Sequence, residues 1–125
     1  MTDKARRDVG DRGLDARLHT FSVQEAIDQL RTETAWKAGD RNAVTLVKTE
    51  RVRVVLIGMK KWASLLEHRV EGPMTLYVIE GSIKFVVGTH HCTLTRSGFV
   101  SLDKAIPHDV EALEDSAFLL TIVQP

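Results

Sequence analysis

The chain has 125 residues, with 17 Lys plus Arg set against 17 Asp plus Glu and one cysteine. That length fits one domain able to bury about two-thirds of its unfolded surface, and the balanced charge gives no net field to draw nucleic acid, an anionic membrane surface or an acidic partner. No apolar run approaches the roughly 18 residues of a membrane span, and the lone Cys92 forms no intrachain disulfide, so a cytoplasmic protein is expected.

Residues 1–17 interleave five basic and four acidic side chains with two glycines and almost no large apolar residue. They bury too little to offset ordering entropy, so residues 1–20 read as a mobile arm ahead of a single domain over 21–125. A helix over 22–38 follows. Ser22 with Glu25 three residues on is a capping-box signature, Phe21 is placed to staple onto Ala26, and Ala26, Ile27 and Leu30 recur at helical spacing. Gly39 is the expected left-handed stop, and the apolar stripe is expected to pack on the domain or on a second subunit.

From Ala43 the pattern turns to strands. AVTLVK and RVRVVLIG are rich in β-branched residues, and Arg51 and Arg53 alternate with Val52 and Val54. Further runs follow at LYVI, IKFVV, CTLT, FVSL, DVEAL and AFLLTIV, punctuated by Gly72-Pro73, Glu80-Gly81, Gly88-Thr89, Ser97-Gly98 and Glu114-Asp115. Short strands at close spacing with no helix between them predict an all-β sandwich or barrel. Such a barrel exposes strand edges, and 43–58 is a candidate to cover one in a homodimer.

Two segments carry the chemistry: EHRVEGPMTLYVIEG from Glu67 to Gly81, and AIPHDV around His108. They resemble the two motifs of the cupins, small β-barrel proteins that often hold a metal between histidines and a glutamate. The resemblance spans about residues 43–123 and implies a cupin double-stranded β-helix, a jelly-roll-like barrel. With YVIEG laid on the end of the first motif, His68 stands on the first ligand histidine, Val70 on the second and Met74 on the glutamate. His108, preceded by Pro107, stands on the histidine of the second motif.

Two of the four ligand positions are thus apolar. Methionine suits Cu(I) and is a poor ligand for iron, manganese or zinc, so His68 and His108 are the candidate metal ligands of an incomplete shell, holding at most a weakly bound divalent transition metal. The same residues read as a ligand pocket in which His68 and His108 orient a small molecule and Val70, Met74 and Leu76 supply the apolar lining. Met59 and Trp62 are placed to close one mouth of the barrel.

Other residues offer less. His90 and His91 follow the Gly88-Thr89 turn, with His91 facing outward by alternation, and Cys92 reads as a small buried filler. Ser64, Ser82, Ser97 and Ser101 lack a nucleophile-elbow context, and there is no glycine-rich phosphate loop. The expected function is a small-molecule-binding or sensing barrel with a mostly lost metal site. The alternatives are a metal-dependent enzyme of the dioxygenase or sugar-isomerase type using His68 and His108, and a dimeric scaffold without a ligand.

Overall fold

The computed structural model describes residues 18–68 and 70–124, the side chains of Glu67 and His68 excepted. The arm predicted at 1–20 therefore lies almost wholly outside the described residues; Leu18, His19 and Thr20 are exposed and belong to no element.

The first helix, α1 (Val23–Leu30), begins where the capping box placed it, with Ser22 Oγ accepting from Glu25 N at 3.2 Å. It does not run on to residue 38. Thr32 N and Thr32 Oγ both turn back to the Gln29 carbonyl, at 3.0 and 2.7 Å, and the Asn42 amide caps the Leu30 carbonyl at 2.9 Å. These local bonds compete with the helical ladder and end it. A second short helix, α2 (Thr34–Ala38), follows, and its terminal Gly39 is extended (φ −121°), not left-handed as predicted.

Nine strands build the rest of the described residues: β1 (Arg41–Lys48), β2 (Val52–Met59), β3 (Ser64–His68), β4 (Met74–Glu80), β5 (Ser82–Val87), β6 (His90–Thr95), β7 (Phe99–Leu102), β8 (His108–Ala112) and β9 (Ser116–Val123). They form two antiparallel sheets, β1-β2-β9-β4-β7 and β3-β8-β5-β6. Strand alternation sends one set of apolar side chains between the sheets, where Ile57, Met74, Leu76, Val78, Phe85, Val110 and Phe118 are buried together. The opposite face of β1, β2 and β9 forms a second core, in which Val44, Leu56 and Ala117 pack against Ala26, Ile27 and Leu30 of α1. The apolar helix stripe is therefore covered by the chain's own barrel. Gly58 permits this seat, because a Cβ there would meet Leu30 Cδ2 at 2.9 Å. Among the described residues no helix is long and apolar enough to cross a membrane.

Candidate functional site

One end of the barrel carries the close of β3 and the starts of β4 and β8, and with them positions 68, 74 and 108. In the four-stranded sheet, His68 of β3 pairs in register with His108 of β8. A one-residue bulge between Leu65 and His68 makes this possible: Leu65 already pairs with Val110, and without the extra residue position 68 would fall out of phase with its neighbour. Beyond β8, Val86 of β5 pairs with Asp109, and Val87 pairs with His90 of β6.

His108 is buried, only 3 % exposed. Its ring stacks on Phe85 with centroids 5.3 Å apart, and Nδ1 lies 3.1 Å from the Ile106 carbonyl. A carbonyl oxygen only accepts, so Nδ1 is the donor in this contact. Phe85 and Ile106 thus hold the imidazole in one plane. A groove of about 390 Å³ runs past it, walled by Val87, Gly88, Ile106, Pro107 and Asp109.

The other predicted pocket residues divide by depth. Val70 follows β3, packs against the main core and accepts from Ala105 N at 3.0 Å, which ties the segment after β3 to the loop before β8. Met74 is buried at the first inner-facing position of β4, 2 % exposed, and Leu76 lies one step deeper in the core. Leu76 is therefore core packing beneath the mouth. Met59 is fully buried at the opposite end of the barrel, in register with Ser116, while Trp62 is 63 % exposed on the surface, so these two do not jointly close a mouth.

The edge strand β6 corrects a further expectation. Cys92 is exposed and not a buried filler, because among the described residues no strand lies beyond β6 to cover it. It pairs with Phe85, and with His90, His91, Val100 and Leu102 it lines a pocket of about 180 Å³. Both histidines of that turn are exposed, as the sequence indicated.

The donor set does not fit the metal shell that the fold family implies. Val70 and Met74, which the cupin resemblance sets on two of the four ligand positions, are apolar groups in apolar surroundings. Among the described residues no three His, Cys, Asp or Glu side chains come together as a possible ion cage.

One residue of this end escaped sequence reasoning. Arg53 shares the inward phase of β2 with Val55, Ile57 and Met59, and pairs with Ile122 in the row that continues through Met74 to Leu102. Its phase with Ile57 and Met59 was visible in RVRVVLIGM, but alternating arginines on a strand ordinarily mark a solvated face.

No family model and no curated protein matches the sequence. Solved structures do match. A cupin-2 domain protein from Shewanella frigidimarina superposes with a TM-score of 0.68 at 11% identity, covering 84% of this chain and 95% of its own. An RmlC-like cupin from Desulfovibrio desulfuricans gives 0.62 at 25% identity over 67% and 82% of the two chains, and a cupin superfamily protein from Desulfitobacterium hafniense gives 0.66 at 13% over 68% and 78%.

Proposed function

We propose that this chain, a small protein of the cupin fold, binds a small molecule at the His108 end of its barrel and has lost most of the metal shell. The observation that supports this most is the pairing of a buried, held imidazole at His108 with apolar side chains at Val70 and Met74. A few fixed polar groups on an apolar lining is the usual make-up of a small-molecule site, whereas tight binding of a first-row metal needs three or four converging donors. The role is binding or sensing, and the setting is the cytoplasm. A panel of metabolites screened by thermal shift tests the reading. Ligands that raise the melting temperature of the wild type should fail to do so in His108→Leu, and unchanged shifts in that variant would place the ligand elsewhere.

The assembly belongs to the same proposal. Across the outer face of the larger sheet, the row Val44, Leu56, Leu119, Tyr77, Phe99 runs out from beneath α1. The helix buries Val44 and Leu56, but Tyr77 and Phe99 stay 40 % and 59 % exposed beside the edge strand β7. A second copy of the chain is the occupant that supplies both a matching aromatic pair and a matching unpaired edge through a two-fold axis. Light scattering at micromolar concentration should give a dimer mass, and Tyr77→Lys/Phe99→Lys should give a monomer; a monomeric wild type rejects this interface.

A further inference from the structure

We infer that the ligand taken by this barrel end is a small organic carboxylate, anchored by Arg53; the inference rests on the binding reading above and specifies its chemistry. Among the described residues, Arg53 Nε is the one buried side-chain nitrogen or oxygen with no hydrogen-bond partner. Arginine keeps its charge at any physiological pH, and a buried donor left unmade is costly, more so on a charged group. A surface arginine would have avoided that cost by turning its head to water. Arg53 as a whole is half-buried, but its Nε is sealed from solvent on the inward face of β2, where its ladder partner is Ile122 and the row beyond is Met74 and Leu102.

That row belongs to the same end of the barrel as His108. Leu102 closes the row and shares a pocket wall with Val87 and His90 of the facing sheet. Val87 pairs with His90, and its neighbour Val86 pairs with Asp109, which adjoins His108. At the other side of the mouth, Lys48 pairs with Arg53, adding an exposed cation at the rim.

The guanidinium fork presents parallel N–H donors that match the two oxygens of a carboxylate. Ile122, Met74 and Leu102 are suited to a hydrocarbon body and offer nothing to further anionic oxygens. A single fork, its Nε buried against an apolar wall, therefore favours a monoanionic carboxylate over a phosphate, which calls for more donors.

Hexanoate and benzoate, each paired with its neutral amide, are the probes, followed by backbone amide NMR shifts of the intact chain together with inorganic phosphate. At about 10 mM, within reach of ligands of this size, the carboxylates should shift β2, β4 and β8 signals while the amides bind at least about tenfold more weakly. Arg53→Met should abolish that preference and melt at or above the wild-type temperature, because it removes an unsatisfied donor from an apolar row; a purely structural arginine would lower it. Carboxylate and amide binding equally well, or Arg53→Met retaining the preference, overturns the anion assignment and leaves the pocket standing. Phosphate outcompeting both carboxylates also overturns the class. Binding of none of the probes counts against both the class and the pocket.

Discussion

Gly81→Ala is expected to cost about 2–4 kcal/mol of stability, a fall of roughly 10 °C in melting temperature for a domain of this size. Gly81 turns β4 into β5 at φ +89°, where an L side chain is strained. A Cβ there would also strike Ser116 Oγ and approach the Asp115 carbonyl. Ser116 cannot give way, since it is fully buried, its Oγ accepts from Ser82 N at 3.0 Å, and its single hydroxyl proton faces the Glu114 carbonyl at 2.8 Å with the Ser82 carbonyl at 3.1 Å as the alternative acceptor. The hydroxyl thus locks the β4–β5 turn to the start of β9. Gly88→Ala serves as the control, because Gly88 also has positive φ (59°) but has nothing within 4 Å of its would-be Cβ. Urea denaturation should show about 1 kcal/mol for that change. Equal losses at both sites would mean that backbone strain alone is being measured and that the Ser116 contact contributes nothing.

Val70→His/Met74→Glu should raise affinity for Mn²⁺, Ni²⁺ or Zn²⁺ by at least about a hundredfold, since each new donor replaces a water on the ion. By the cupin resemblance, these two positions would complete a three-histidine, one-carboxylate shell with His68 and His108, which pair in register. Without metal the variant should be less stable than the wild type by about 2–4 kcal/mol, because Met74 is buried and a glutamate there lacks a partner. Added metal should restore the melting temperature, as binding to the native state requires. A variant that gains no affinity would show that Val70 and Met74 are not the lost ligand positions.

The strands were legible because their β-branched runs are bounded by Gly, Pro and Asp turns, and each such run became a strand. What escaped was set by single side chains. The helix break depends on Thr32 and on Asn42, which reaches back from β1. The placement of His68 opposite His108 depends on a bulge that strict alternation cannot foresee. Cys92 lies in an apolar-looking strand, yet its exposure follows from β6 being an edge, which is a property of topology and not of local sequence. Leu76 was read as pocket lining together with Met74, since period-two alternation gives the face but not the depth along it. Arg53 shows the reverse failure: its face was readable, but the weight of a lone charge among inward apolar residues emerged only once the orphaned Nε was seen.

The central claim, a binding pocket without a working metal shell, is tested most directly by titrating tag-free wild-type protein with Mn²⁺, Ni²⁺ and Zn²⁺ in a calorimeter. With Val70 and Met74 in place of donors, no ion should bind more tightly than about 10 μM. One-to-one binding below about 1 μM that disappears in His108→Ala would contradict the claim and place a functional metal centre at this end of the barrel.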